Sequence, residues 1–463
     1  MRRFFLGALG LFAVLYLVAQ GTVNRDRDPN KTYLRWMTDD NPARKLQVGG
    51  FMEMNPEYDL RVDWGLGADS TKLLVQCASG VGPDIIDLYS MDQMLVMKEA
   101  GILLDLTPYA AEMGFGPDNT YPAIRPRLVS DGKQYRYPCN VGANCVVFNK
   151  AVFDDHGVPY PTSDWTWDEF IETGRQLLEN PSKSGKEHIA LAHHFSELVC
   201  YDLIINFGGR LFTEDGLCSL LDSEEVIGAI QMFHDLMHEH HVLSTPTEAA
   251  SMAAQGGWGV GGINFFSSGK AAMMIIGRWY LIQVPNFPEI APTLGAAQLP
   301  HLPGRVSSVA CAARAAGVNA LSPNREHALK FLQYLASPEY GKIIVDGGDS
   351  LPPNPSLAQD GVMLVNDIVS DPAFHQPFVD AINTARALDV SGFIDMGQVQ
   401  RWFLERVQKV ENQVQAPREA CEDMAREINL QIRQNLERRE DLRERFERVT
   451  GKPYTPDWWT EYQ

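Results

Sequence analysis

The sequence predicts an α/β fold, because strand-like and helix-like segments alternate from the first part of the chain onwards. Thr32–Met37 alternates like a strand, residues 43–55 have the pattern of a helix, and residues 60–64 have that of a second strand. The apolar run Ile85–Leu88 follows a turn rich in glycine and proline, which is typical of a buried parallel strand. With 463 residues, the chain is long enough to bury two or three hydrophobic cores.

The stretch around Ile85–Leu88 also indicates where a ligand should bind. Tyr89 and Asp92 come where this strand is expected to end, and the apolar spacing of a helix then continues until Gly101. Open α/β sheets bind ligands at the carboxyl ends of their strands. We therefore expect Tyr89 and Asp92 to face a ligand.

A second group of polar and aromatic residues follows the first predicted strand. Trp36, Asp40 and Asn41 lie at or near its carboxyl end, which is again the edge expected to bind a ligand. Asp40 or Asn41 is also well placed to cap the helix that comes next. Both roles remain open for these two residues.

The second half of the chain predicts further helices. Thr166 and Glu169 have the spacing of a capping box that begins one of them. Residues 223–241 form an amphipathic helix, and residues 399–449 are helical apart from one break at a proline. A tail containing Trp458 and Trp459 follows, for which docking to a partner is one hypothesis.

The charge balance excludes one broad class of function. The chain has 59 acidic and 40 basic residues, which gives a net charge of −19. Nucleic-acid binding requires a basic face that neutralises phosphates. We therefore predict no nucleic-acid partner, and we attribute the acidity to the solubility of a secreted protein.

The N-terminus predicts export. Arg2 and Arg3 precede an uncharged, mostly apolar run over residues 4–21, as in a signal sequence. The run is about long enough to span a bilayer, which takes roughly 20 residues. No good cleavage site stands near Ala19, so an uncleaved membrane anchor is favoured over a cleaved signal peptide. The rest of the chain is then expected in the periplasm or on the outer face of the cytoplasmic membrane.

Two sets of side chains raise the question of covalent or metal cross-links. Cys139–Cys145 and Cys200–Cys218 are the nearest cysteine pairs, and an exported chain permits disulfides, although small buried apolar roles are equally open. Three histidines share one helical face at a spacing that suits zinc, but a solvated helix end explains them better. These histidines are His234, His238 and His241. We predict no metal and no cofactor.

Several motifs together resemble one family. They are residues 82–87 (GPDIID), 99–109 (EAGILLDLTPY), 166–170 (TWDEF) and the F-x-x-G-K-A-A-M-x-x-x-G-x-W pattern at 266–279. The chain resembles the family 1 extracellular solute-binding proteins, the maltose-binding-protein-like carbohydrate receptors of ABC importers.

The resemblance implies a two-lobed periplasmic-binding-protein-like fold of type II, in which each lobe is a mixed sheet flanked by helices and hinge crossings join the lobes. The implied segments follow the chain in order. They are a signal or anchor segment with linker (1–31), the first part of lobe 1 (32–140), the first part of lobe 2 (141–310), the return to lobe 1 (311–360), the return to lobe 2 with C-terminal helices (361–449) and a tail (450–463).

The same resemblance adds ligand contacts to those suggested by the strand ends. Trp279 is expected to stack on a sugar ring, and Gly142 stands where maltose-type relatives carry an acidic contact, which disfavours a maltose-like ligand. Asn140 and Asn144 are possible replacements, since an amide both donates and accepts hydrogen bonds. The full set of predicted ligand-binding residues is Trp36, Asp40, Asn41, Tyr89, Asp92, Asn144, Glu197, Tyr201, Arg278, Trp279 and Asp349.

The resemblance implies a non-catalytic protein that captures a sugar or oligosaccharide and delivers it to an ABC permease. Two alternatives stay open: an exported enzyme acting on glycans, and a sugar receptor that signals without transport. Paired carboxylates are the feature that an enzyme would need. Asp39 and Asp40 are neighbours on a strand and point to opposite faces, so they do not converge.

Overall fold

A computed structural model describes residues 28–64, 70–192, 195–252 and 261–462. The predicted export or anchor segment falls mainly on residues 1–27, which lie outside the described residues. Within the described ranges, no helix combines the length and the apolar character needed to cross a membrane.

The strands fall into two main sheets and one small hairpin. In chain order the strands are β1 (Thr32–Met37), β2 (Tyr58–Asp63), β3 (Ile85–Leu88), β4 (Val129–Ser130), β5 (Lys133–Gln134), β6 (Tyr137–Gly142), β7 (Asn144–Asn149), β8 (Ile189–Ala192), β9 (Ala271–Gly277), β10 (Leu294–Ala297) and β11 (Ala312–Val318). The order is β2-β1-β3-β11-β6 in the first sheet and β10-β7-β9-β8 in the second, while β4 and β5 pair alone.

Helices cover both sheets. The α-helices are Arg44–Met54, Ser70–Ala78, Met91–Glu99, Thr107–Ala110, Lys150–His156, Trp167–Glu179, Ser196–Asn206, Glu224–His238, Pro246–Met252, Gly262–Ser267, Arg325–Leu335, Pro338–Asp346, Pro372–Thr384, Met396–Glu411, Pro417–Arg438 and Glu440–Thr450. Short 3₁₀ turns connect several of them, including Arg278–Ile282 directly after β9.

The first sheet belongs to lobe 1 and is mixed. β1 is parallel to β2 and β3, whereas β11 runs antiparallel to both β3 and β6. The carboxyl ends of β1, β3 and β6 and the beginning of β11 therefore lie at the same edge. Behind this edge, a core packs the sheet against the helices Arg44–Met54 and Arg325–Leu335, with Phe51 and Phe331 in edge-on contact at 5.6 Å.

The second sheet belongs to lobe 2 and presents one edge toward lobe 1. β7 is antiparallel to β9, so Asn144 at the start of β7 pairs with Gly277 at the end of β9. β8 lies parallel to β9. Only Ala143 separates β6 from β7, so the chain passes from the first sheet to the second within one residue.

The C-terminal helices share the core of the second sheet. The helix Pro417–Arg438 packs against Glu224–His238, and its predicted i+4 apolar stripe is confirmed as buried. The stripe consists of Met424, Ile428, Ile432 and Leu436. These helices also touch lobe 1, because Arg445 pairs with Asp131 at 3.4 Å.

The tryptophan tail folds back on lobe 2. Trp458 is buried and meets the ring of Phe446 edge-on at 5.6 Å. Trp459 lies under the guanidinium of Arg433, 4.1 Å from the ring centre. Both rings are therefore used within the chain, which argues against the hypothesis that they dock a partner.

The predicted capping box is confirmed. The backbone N–H of Glu169 donates to the Thr166 hydroxyl at 3.3 Å, and the Thr166 N–H donates to the Glu169 carboxylate at 2.7 Å. The helix Trp167–Glu179 therefore begins with two backbone donors satisfied by side chains.

The structure decides between the two roles left open for the cysteines, since all seven are free thiols. Cys139 lies on β6 in the first sheet and approaches Asp87, whereas Cys145 lies on β7 in the second sheet. Cys200 is enclosed in a helix and Cys218 lies in a loop. Burial raises the pKa of Cys139, Cys145 and Cys200 well above the ordinary value, so these thiols behave as apolar core groups.

Candidate functional site

Two buried ion pairs lie at the edge of the first sheet where β1 and β3 end. Arg314 near the start of β11 donates to Asp87 at 2.7 Å, and Arg44 at the start of its helix donates to Asp349 at 2.9 Å. All four side chains are almost completely buried. A buried charge needs a partner and further hydrogen bonds to be tolerated, so the surroundings of these carboxylates decide whether the arrangement holds.

Neutral side chains complete the shell of both carboxylates. Asp87 accepts from the Trp36 indole at 2.7 Å and from the Thr38 hydroxyl at 2.6 Å. Asp349 accepts from the amides of Gln47 and Asn140, each at 2.7 Å. We call this set of ion pairs and hydrogen bonds the lobe 1 network.

The lobe 1 network keeps Asp349 ionised. Burial alone would raise the pKa of Asp349, but the guanidinium groups of Arg44 and Arg314 outweigh it and hold the pKa below the ordinary value. The network therefore holds a set of buried charges at this edge of the sheet.

Three residues predicted to bind the ligand are buried in lobe 1 and contact other residues of the chain. Trp36 is fully buried, and its ring lies 4.8 Å from that of Phe331. Asp349 is committed to the lobe 1 network, and the buried Asn41 accepts from the Ala43 backbone N–H at 2.9 Å just before a helix. Their partners come from distant parts of the chain or from a local turn, and this arrangement favours structural roles over ligand contact.

Arg278 is likewise a structural clamp. Its buried guanidinium donates to the backbone carbonyls of Ser350 at 2.7 Å and Leu364 at 2.8 Å, and its Nε donates to Nδ1 of His375 at 3.2 Å. Burial and the charge of Arg278 lower the pKa of His375 to about 4, so this imidazole is a neutral acceptor. Arg278 thus ties the end of β9 to segments far along the chain rather than facing a ligand.

The remaining predicted residues of lobe 1 are accessible. Asp40 is exposed, Asp92 is half-buried and Tyr89 is 38% exposed. Backbone contacts fix Tyr89: its N–H donates to Gln93 at 2.8 Å, and its carbonyl accepts from Arg127 at 3.2 Å. The backbone of Tyr89 is therefore held in place just beyond β3.

On lobe 2, Trp279 and Asn144 lie side by side at the end of the second sheet. A Cβ added to Gly277 would stand 2.7 Å from the indole Cδ1 of Trp279 and 3.4 Å from the Asn144 amide oxygen. Only glycine therefore lets the indole lie against the strand. The Asn144 amide donates to Asp202 at 2.7 Å, which leaves its oxygen directed toward the indole side.

A small apolar recess adjoins Trp279. Phe195 and Leu198 line it, and they are 55% and 43% exposed. The sequence analysis missed both residues. Phe195 stands directly before the helix Ser196–Asn206 with a left-handed backbone, φ 48°, which places a large apolar side chain at the rim.

Asp202 supports this recess from behind. It is fully buried and accepts from the Asn144 amide and from the Ala310 backbone N–H at 3.0 Å. Burial raises the pKa of Asp202 to about 7. This carboxyl connects a predicted ligand residue to the segment that returns to lobe 1.

The structure brings Asp92 of lobe 1 together with Glu197 and Tyr201 of lobe 2. Burial raises the pKa of Glu197, and the charge of Asp92 raises it further. Burial, then Glu197 and Asp92, raise the pKa of Tyr201 well above the ordinary value. Gln400 donates to Glu197 at 2.9 Å, and Phe403 stacks on Tyr201 at 4.5 Å between ring centres. These five residues form an acidic and aromatic cluster between the lobes.

Asp92, Glu197 and Tyr201 of this cluster were predicted from the sequence, but their partners Gln400 and Phe403 were not. Gln400 and Phe403 stand about 200 residues from Glu197 and Tyr201, and no local motif connects the two segments. Arg314 alone carried a signal in the sequence, since it is an arginine in an otherwise apolar stretch.

Comparison with known proteins agrees with this architecture. The family described as bacterial extracellular solute-binding proteins matches residues 36–342. A curated relative, the arabinooligosaccharide-binding protein of Halalkalibacterium halodurans, is 26% identical over 162 residues, which are 35% of this chain and 34% of the relative. The match thus spans about a third of the length of that protein.

Solved structures share the fold over nearly their whole length. An ABC substrate-binding protein of Listeria monocytogenes in complex with cycloalternan is 22% identical with a TM-score of 0.71, covering 86% of this chain and 98% of that one. The GacH receptor of Streptomyces glaucescens, studied unliganded and with acarbose, is 19% identical with a TM-score of 0.69, covering 87% and 98%. The sugar-binding protein MalE of Xanthomonas citri is 17% identical with a TM-score of 0.70, covering 88% and 100%. These likenesses confirm the predicted two-lobed α/β fold.

Proposed function

Because this chain belongs to the bacterial extracellular solute-binding proteins, we propose that it captures a sugar or oligosaccharide between its lobes and delivers it to an ABC import permease. It acts outside the cytoplasm, in the periplasm or on the outer face of the cytoplasmic membrane, and the N-terminal segment tethers it there if uncleaved. Its boundaries between lobes lie near residues 141, 311 and 361.

The observation that carries the proposal is the presence of both apolar and acidic side chains in the proposed site. Trp279 is half-buried, and the apolar side chains of Phe195 and Leu198 beside it are exposed on lobe 2. Glu197 comes two residues after Phe195, and its carboxylate and that of Asp92 supply oxygens that accept hydrogen bonds. A pyranose has an apolar C–H face and a rim of hydroxyl donors, so one ring satisfies both surfaces at once.

Two of the relatives are linked by name to oligosaccharides. The curated relative is named for arabinooligosaccharides, and the Listeria protein is bound to cycloalternan. In this chain, Tyr89 on lobe 1 and Trp279 on lobe 2 supply aromatic rings from both sides. We propose that these rings contact different units of one ligand, with Asp40 and Asn144 binding hydroxyls.

The cluster between the lobes suggests how the ligand drives closure. Asp92 and Glu197 disfavour each other's charge, so closing the lobes without a ligand brings like charges together. Ligand hydroxyls that donate to both carboxylates remove this penalty. A ligand shifts the balance of open and closed forms only through such a difference in affinity, and the proposed hydroxyl contacts provide it.

A thermal-shift screen against mono- and oligosaccharides tests the proposal, with product analysis by chromatography on the same samples. A stabilising sugar that is recovered unchanged supports the binding protein, whereas turnover favours the exported enzyme. Trp279→Ala should then remove the stabilisation, while Trp459→Ala, which alters a tryptophan packed in the tail, should retain it. Equal affinity in Trp279→Ala and the unaltered protein would refute the placement of the site.

A further inference from the structure

A cluster of metal-binding side chains lies on lobe 2 outside the cleft. It consists of Asp155, His156 and His188, whose donor atoms all lie within 4.8 Å of one another. Nε2 of His156 and Nδ1 of His188 are 3.0 Å apart. His156 is buried at the end of its helix, and His188 is half-buried directly before β8.

This cluster stands at the opposite end of the second sheet from the ligand site. β8 and β9 begin at this edge and run parallel, whereas Trp279 follows the far end of β9. A seven-residue strand spans about 20 Å at roughly 3.3 Å per residue. The cluster is therefore separate from the sugar site and takes no part in the proposed capture.

Hydrogen bonds prepare His156 to present a lone pair. Its Nδ1 lies 2.9 Å from the backbone carbonyl of Asn180, and a carbonyl only accepts. The proton is accordingly on Nδ1, so Nε2 accepts a hydrogen bond from the Nδ1–H of His188, which a metal ion between the two nitrogens would replace. A backbone carbonyl on the outer nitrogen is the usual support of a histidine that binds a metal.

The carboxylate is held in a similar way. Ser182 donates to Oδ2 of Asp155 at 2.6 Å, and the backbone N–H of Ser184 donates to Oδ1 at 2.8 Å. The loop containing these serines thus orients the third donor.

We propose that Asp155, His156 and His188 bind a zinc ion. Two imidazole nitrogens on tetrahedral zinc stand about 3.3 Å apart, since each Zn–N bond is about 2.0–2.1 Å. The two histidine nitrogens, 3.0 Å apart, are already close to that spacing. The carboxylate oxygen lies within 4.8 Å of them, so it needs to come closer by about 1.5 Å at most. Two imidazoles and one carboxylate favour zinc over calcium or magnesium, which prefer oxygen donors.

A second histidine group on lobe 2 provides a matched control. His234 and His238 lie on the helix Glu224–His238 with ring centres 4.8 Å apart. There Nε2 of His238 contacts the backbone carbonyl of Glu411 at 2.9 Å, and Nδ1 of His234 contacts Asp235 at 2.9 Å. Among the residues that the structure describes, the donors that gather closely enough for one ion are those of Asp155, His156 and His188, so the zinc alternative raised by the histidine spacing finds no support.

The test is thermal unfolding of the chain without a histidine tag, in EDTA, ZnCl₂, CaCl₂ or MgCl₂. We expect zinc alone to raise Tm, by about 3 °C at 100 times Kd. His188→Gln and Asp155→Asn should lose this rise, and His238→Gln should keep it. His188 is only half-buried, so we expect the His188→Gln variant to fold. The Tm of this variant in EDTA checks that expectation.

Cobalt absorption gives a second readout that does not depend on stability. Binding to the proposed site should produce the visible bands of tetrahedral cobalt in the unaltered chain and in His238→Gln, and these bands should be absent in His188→Gln. The proposal is overturned if zinc leaves Tm unchanged, if His188→Gln keeps the full rise, or if His238→Gln loses it. None of these results bears on sugar binding, so this proposal and the proposed function fail separately.

Discussion

Replacing Asp202 with asparagine should remove a pH dependence of stability that the structure predicts. Burial raises the pKa of Asp202 from 3.8 to about 7 in the folded protein. The folded chain therefore holds this proton between about pH 4 and pH 7, whereas the unfolded chain releases it. Stability falls as pH rises wherever the folded state binds more protons.

The expected size follows from the two pKa values. Each pKa unit corresponds to about 1.4 kcal/mol, so the penalty approaches about 4 kcal/mol at high pH and grows by about 3 kcal/mol between pH 4.5 and pH 8. Entropies of unfolding near 2.1 cal/mol/K per residue convert this to about 3 °C in Tm for a chain of this size.

Calorimetric Tm values at several pH values compare the two proteins. At pH 4.5, Asp202→Asn should have the lower Tm. The two oxygens of Asp202 accept from the amide of Asn144 and the N–H of Ala310, and the NH₂ group of asparagine would replace one oxygen by a second donor, so one hydrogen bond is lost. The difference should shrink by about 3 °C toward pH 8. Asp457→Asn, at an exposed carboxylate of the tail, should follow the unaltered protein throughout. Parallel Tm curves for Asp202→Asn and the unaltered protein would refute the raised pKa.

Two further changes test the packing described above. Asp349→Ala removes the carboxylate that faces the buried guanidiniums of Arg44 and Arg314. The free energy of unfolding measured in urea should therefore fall by about 3–5 kcal/mol. A loss below about 1 kcal/mol would show that the pairs are not buried as described. Thr166→Ala removes the side-chain half of the capping box with Glu169, and the same assay should show a loss of about 1 kcal/mol, with no loss expected if the helix end is frayed.

The sequence predicted best what depends on neighbours along the chain. Strand Thr32–Met37 and the helix after Thr166 are confirmed because alternation and capping are set within a few residues. The stripe that begins at Met424 is confirmed for the same reason, since its i+4 spacing alone places it on one face.

Predictions that required distant partners fared worse. Asp349 comes shortly after the helix Pro338–Asp346 in sequence, yet its position is decided by Arg44, 305 residues away. Trp36 and Arg278 likewise lie inside the fold because Asp87 and the carbonyl of Ser350 bind them there. No spacing rule connects such pairs, so only the folded structure separates them from Trp279 and Tyr89, whose roles at the cleft stay predictions.

The contact between Arg445 and Asp131 adds an ionic component to the motion of the lobes. It joins the last long helix to lobe 1 through partly exposed side chains, 3.4 Å apart. Exposed pairs of this kind contribute about 1 kcal/mol or less and are screened by salt. This link between the last helix and lobe 1 should therefore weaken as the ionic strength of the surrounding medium rises.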